Sequence, residues 1–158
     1  HDYSHIDTDE YLAYVHDVPY GQYLSRDGAL AAMLDRLLIN KAVFTNSDKT
    51  HADRVLAALG VRKHFETIVD TYATNFINKP RAEAFQVLFE LIKAEPEECV
   101  LVDDQERNIQ MARSLGMSTV LVKAEGDPDR IADICVVNVV EASDWLQKIA
   151  VERMVLDR

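Results

Sequence analysis

Five short runs, KAVFT (41–45), ETIVD (66–70), CVLVD (99–103), STVLVK (118–123) and DICVV (133–137), recur along the chain, separated by segments with helical spacing. Runs this short that are apolar nearly throughout, rather than at every second residue, read as strands buried on both faces. Strands that alternate with helices form a parallel sheet, because each connection must cross over one face and cover it. The expected class is therefore α/β, a three-layer Rossmann-like core with a parallel sheet. Sites in such sheets lie where the strands deliver their carboxyl ends.

The helices announce their ends. DGALAAMLDRLL (27–38) carries apolar residues at helical spacing behind Asp27, an N-cap residue type. Ser47 or Asp48 can cap a helix that runs through LAALG (56–60), with Gly60 as a left-handed stop. PRAEAFQVLFELIKA (80–94) starts with proline at a first helical position and stops before Pro96, and ERNIQMARSLG (106–116) stops at Gly116. DPDRIA (127–132) reads as a short helix, and SDWLQKIAVERM (143–154) as a terminal helix behind Ser143, with Trp145 in its packing face.

Of the 158 residues 48% are hydrophobic, enough for one domain with a core. The formal net charge of -10 argues against a nucleic acid polymer as main partner, because phosphate-backbone binding is driven by clustered lysine and arginine. A small phosphorylated molecule is compatible, since one lysine and a metal offset the global charge locally. Cys99 and Cys135 each sit in an apolar run and read as small buried hydrophobes. With no signal peptide and no apolar run near 18 residues, the expectation is a soluble, cytoplasmic chain with no membrane partner. Composition leaves the oligomeric state open. The sequence opens HDYSH without a methionine, and Tyr11, Leu12, Tyr14 and Val15 read as the end of an element, so a fragment is expected.

Three strand ends or helix starts carry chemistry. VLVDDQERNIQMARSLGM (100–117) runs an apolar strand into two adjacent aspartates. Side by side at a strand end, Asp103 and Asp104 repel and lose hydration, which calls for a cation or solvent to neutralise them, and a hard divalent metal is the obvious candidate. The plainer reading is that both open the next helix, Asp104 as its N-cap and Glu106 complementing the dipole. In KAVFTNSDKTHA (41–52), Thr45, Asn46 and Ser47 end a strand before a helix, so a hydroxyl and helix-start amides face one point, an arrangement suited to a phosphate oxygen. Here the plainer reading is a simple cap at Ser47 or Asp48. In FINKPRAEAF (76–85), Lys79 stands near the positive end of a helix, where a structural lysine gains nothing from the dipole; otherwise it is a solvated loop residue.

In their order along the chain, the three segments resemble the haloacid dehalogenase superfamily: TNSDKTHADRVLAALGV is similar to its second motif, NKPRAEAF to its third, and VLVDDQERNIQMARSLGM to its fourth in the paired-acid variant. The resemblance covers roughly residues 25–140. It implies a Mg²⁺-dependent phosphomonoester hydrolase working through an aspartyl-phosphate intermediate on a small phosphorylated substrate. Carried over, Thr45, Asn46, Ser47 and Lys79 bind the phosphoryl group, Thr45 and Lys79 act on it catalytically, and Asp104 binds Mg²⁺ with Asp103 assisting. Asn108 stands where some members place a further acid. Phosphoryl transfer needs charge neutralisation more than proton chemistry, and a lysine with Mg²⁺ supplies it.

Within the superfamily, FTNSDKTHADRVLAALGV and the opening DTDEYLAYVHDVPYGQYLSRDGAL look most like the pyrimidine 5′-nucleotidase group, whose members carry a helical cap after the first strand. Residues 1–20 would then be the tail of a cap, and 21–158 a core lacking its first strand. The nucleophile of the family is the first aspartate of an N-terminal strand motif. Asp7-Thr8-Asp9 imitates its spacing but follows HDYSHI and aligns with the cap, so it reads as a helix-starting acidic turn. The missing strand would lie between KAVFT and CVLVD; either its segment is not in this chain, or those two strands pair directly and the site is catalytically dead. A 2-haloacid dehalogenase shares the core but needs no metal, and the paired acids speak against it; a phosphatase for phosphoglycolate or a sugar phosphate, and a non-catalytic phosphate-binding module, are further alternatives. His51 reads as a surface or helix-packing residue, His5, His16 and His64 lack metal-ligand spacing, and Glu95, Glu97 and Glu98 read as a solvated loop.

Overall fold

The structure is a computed structural model that describes residues 20–127 and 129–156. The proposed cap tail at 1–19, with His5, His16 and the Asp7-Thr8-Asp9 turn, lies outside the described residues. A short helix α1 (Tyr20–Tyr23) leads into α2 (Gly28–Arg36), and the chain then alternates β1 (Ala42–Phe44), α3 (Lys49–Leu59), β2 (Thr67–Val69), α4 (Ala82–Ile92), β3 (Val100–Asp103), α5 (Glu106–Ser114), β4 (Ser118–Val122), β5 (Ile134–Val136) and α6 (Ser143–Leu156).

Every strand pairing is parallel, as α/β alternation requires. The strands fall in two sets, β1 with β2 and β3-β4-β5, and the break lies between β1 and β3, the two strands between which the resemblance would put a further one. Strands β1 and β3 share no ladder, so the direct pairing considered as one alternative does not occur. No other described strand pairs with either of them on that side.

Neighbouring residues of β4 show how the layers form. Val120 shares a buried cluster with Met33 and Leu34 of α2, Leu37 at its C-terminal cap and Leu146 of α6, whereas Leu121 shares one with Phe85 of α4 and Ile109 and Ala112 of α5. Successive strand side chains point to opposite faces, so these two clusters are the two sides of one sheet. Trp145 packs against the first cluster, as expected. No helix among the described residues is long and apolar enough to cross a membrane.

Asp27 caps α2 by accepting from the Leu30 amide, and Asp48, not Ser47, caps α3 by accepting from the His51 amide. Gly60 and Gly116 both take positive φ, +76° and +97°, at the helix ends where they were expected. Other boundaries differ. Pro80 stands in a turn after a cis Lys79–Pro80 bond, and α4 begins at Ala82 behind an extended Arg81. Residues 129–132 of the expected helix DPDRIA are not helical, because the Asp127 carboxylate takes the amides of Ile131 and Ala132 and closes a turn instead. Glu95 and Glu98 are not merely solvated; they form a reciprocal capping box around the turn Pro96–Glu98. Neither cysteine is fully buried, and neither forms a disulfide.

Candidate active site

The sequence segments carrying Thr45, Lys79 and Asp103 converge at the carboxyl ends of β1 and β3, and one lysine joins the two sheet pieces there. The Lys79 ammonium donates to the Phe44 carbonyl at 2.8 Å and to Asp103 Oδ2 at 2.7 Å, and it lies 4.9 Å from the centre of the Phe44 ring. Both ionised side chains are nearly buried, at 9% and 7% exposure. An ion pair so placed is maintained only if its remaining polar atoms are also satisfied. For Asp103 they are: Oδ1 accepts from the Gln105 amide at 2.8 Å and from Asn108 Nδ2 at 3.0 Å.

This resolves the sequence puzzle of two adjacent carboxylates. Lys79 neutralises Asp103, and Asp104 turns to solvent, where it accepts one long contact of 3.3 Å from the Gln105 side chain. Asp104 is therefore not the N-cap of α5; that position is Gln105, without a side-chain cap. An open depression beside Asp104 is lined also by Glu106, Arg107, Val122 and Lys123. Lys123 is hydrogen-bonded to Glu106 at 2.5 Å, which holds the lysine pKa above its ordinary value.

On the other side of Lys79, Asn46 makes a reciprocal pair with the lysine backbone. Its Oδ1 accepts from the Lys79 amide at 2.9 Å, and its Nδ2 donates to the Lys79 carbonyl at 3.2 Å. The hydroxyl of Thr45 accepts from the Ser47 amide at 3.0 Å, which leaves its proton available to donate. Ser47 contributes its carbonyl to the Thr71 amide at 3.1 Å.

Asp70, singled out by no motif, ties this loop cluster together. It is 8% exposed and accepts from the Lys49 amide and the Ala73 amide, both at 2.9 Å, fastening the start of α3 to the loop after β2. Thr71 then donates to Asn78 at 3.2 Å, one residue before Lys79. The only signal for Asp70 in the sequence was an acid closing the run ETIVD. His51 packs as expected, its ring bonded to the Tyr20 hydroxyl at 2.7 Å.

Could these residues hold Mg²⁺? Among the described residues no group of three or more acidic, histidine or cysteine side chains forms a complete metal cage. Mg²⁺ does not require one, since it is commonly held by one or two carboxylates with the remaining positions filled by water and phosphate oxygens. Asp104 offers a largely unengaged carboxylate beside Asp103, and Asn108, 4% exposed, has an Oδ1 with no hydrogen-bond partner. The donors are all hard oxygens and fit a partial Mg²⁺ shell.

The model of the haloacid dehalogenase-like hydrolase family matches residues 3–116, and the chain belongs to that family of hydrolases. Among curated proteins it is similar to fructose-1-phosphate phosphatase YqaB of Escherichia coli (strain K12), with 33% identity over 82 residues, 52% of this chain and 43% of that enzyme. Among solved structures it resembles an HAD phosphatase from Thermococcus onnurineus (TM-score 0.69, 23% identity, 89% of this chain and 65% of that one). It also resembles the L-2-haloacid dehalogenase RSc1362 (TM-score 0.67, 13% identity, 78% of this chain and 57% of that one). At these identities the two structures speak to the fold alone. The chain spans less than two thirds of the length of the curated relatives it matches.

Proposed function

We propose that the protein containing this chain is a Mg²⁺-dependent phosphomonoester hydrolase that acts through an aspartyl-phosphate intermediate. One observation carries the reading: the buried Lys79–Asp103 pair joins two strand ends, with Thr45 next in the chain after Phe44 and an exposed, nearly uncommitted Asp104 next after Asp103. Two of the three Lys79 protons are engaged, so the third can meet a phosphoryl oxygen, and Thr45 can donate to another. Asp104, assisted by Asp103, would hold the metal, which supplies charge neutralisation to the transferring group when bound. Asp7 and Asp9, the residues whose spacing imitates the acceptor motif, lie outside the described residues.

For the substrate we favour a pyrimidine nucleoside monophosphate, on the motif details around residues 44–61. A sugar phosphate is the second reading, favoured by the similarity to an enzyme named for fructose 1-phosphate. The dehalogenase reading is weaker, because a site that needs no metal has no use for an exposed second carboxylate at Asp104.

The experiment is a release assay on the full-length protein with a pyrimidine monophosphate, a hexose 1-phosphate, phosphoglycolate and 2-chloropropionate, reading phosphate and chloride separately. Phosphate release from the first, greatest with Mg²⁺, is expected. Chloride release without phosphate release would overturn the phosphatase reading, and a preference for the hexose phosphate would overturn the nucleotide assignment alone.

A further inference from the structure

Lys79 is held at both ends by one three-residue segment. Its ammonium rests on the Phe44 carbonyl and ring, and its backbone amide and carbonyl are both taken by the Asn46 side chain, 33 residues away in sequence. Such a pairing is costly to hold by chance, since a side-chain amide that could face water is instead ordered against a single residue. Each end of the Asn46 amide makes one of these bonds, so the side chain is oriented by Lys79 with one Nδ2 proton left over.

We propose that Asn46 is a positioning residue for Lys79: the reciprocal amide pair fixes the lysine backbone, so that the ammonium stays at one point between β1 and β3 whichever anion it faces. This departs from the expectation that Asn46 binds substrate directly, and it rests on the phosphatase reading for its catalytic consequence. The physical reason is preorganisation. A cation on a flexible four-carbon stem must be ordered at each turnover, whereas one tethered at its backbone and its head has already lost that freedom. Anchoring at Phe44 and Asn46 also makes the site independent of the Lys79–Asp103 pair, so the ammonium can lean from Asp103 toward a phosphoryl oxygen without the loop moving.

The test compares Asn46→Ala and Asn46→Asp in the full-length protein by three readouts: hydrogen exchange of the Lys79 amide, the rate of chemical methylation of Lys79 followed by mass spectrometry, and kcat and KM for phosphate release. In Asn46→Ala, exchange and methylation are expected to rise at least about tenfold, and kcat to fall about ten- to a hundredfold with KM changed less than about threefold. Asn46→Asp keeps the acceptor for the Lys79 amide and is expected to restore exchange protection. Unchanged exchange and methylation in Asn46→Ala would overturn the clamp, whatever the activity. Faster exchange with unchanged kcat, or a loss confined to KM, would overturn its positioning role and return Asn46 to substrate binding. If the wild-type protein releases no phosphate, the phosphatase reading fails, while exchange and methylation still decide whether Asn46 clamps Lys79.

Discussion

Asp103 and Asp104 are neighbours in sequence with opposite surroundings, so their substitutions are expected to separate. Removing Asp103 strips Lys79 of its counter-charge inside the protein, and Asp103→Ala is expected to lower unfolding stability by about 3 kcal/mol, measured by urea denaturation. Asp104→Asn is expected to change stability by less than about 0.5 kcal/mol, because it removes only an exposed charge, while abolishing Mg²⁺-dependent turnover if the proposed metal role holds. Equal losses of stability in the two variants would contradict the division of roles. The doublet was legible in the sequence because two adjacent acids at the end of an apolar strand must each find a partner or solvent. Which acid turns inward was not legible. Successive strand residues face opposite ways, and the assignment depends on the register that sets Asp103 opposite Leu121 and on a lysine 24 residues earlier.

At the scale of elements, α5 is held by its apolar face. Ile109, 0% exposed, shares a buried cluster with Phe85 and Leu121, and Ile109→Ala is expected to cost roughly 2–5 kcal/mol in a urea titration. Gly60 closes α3 at φ +76°, where its added Cβ would meet Arg26 Cγ at 3.4 Å, an ordinary contact. The cost of Gly60→Ala is then conformational, about 1 kcal/mol, and a neutral result in the same titration would contradict it. Caps such as Asp27, Gly60 and Gly116 were readable because their signals are local. The start of α4 and the fate of DPDRIA were not, since each depends on a competing turn: Arg81 stays extended after the Pro80 turn, and the Asp127 carboxylate satisfies two amides that a helix would otherwise have used.

At the scale of the whole molecule, acid stability follows the sign of its shifted carboxylates. The Ala132 amide, with other backbone donors, holds Asp127 below its ordinary 3.8, and the hydrogen bond from Lys49 does so for Asp53, aided by Arg62. A carboxylate with a depressed folded-state pKa stabilises fully above its unfolded value and loses that contribution as pH falls through the folded one. The urea midpoint is therefore expected to drop below pH 3.8, less in Asp127→Asn than in the parent, and to drop less in high salt. An equal drop in the variant would remove Asp127 from the account. The parallel, two-faced architecture was legible from the apolar runs, whereas the break between β1 and β3 was legible only through the family resemblance, because nothing in KAVFT or CVLVD itself states which strand lies beside which.

On the proposed function, the lysine–carboxylate cluster at the ends of β1 and β3 serves metal-assisted phosphoryl chemistry through Asp104. Its most direct test is phosphate release from a pyrimidine nucleoside monophosphate by the full-length protein and its Asp104→Asn variant, each titrated with Mg²⁺ from a metal-free start. Release that rises with Mg²⁺ in the parent and stays at background in the variant is the predicted result. Release that is indifferent to Mg²⁺, or that survives in Asp104→Asn at saturating metal, would contradict it.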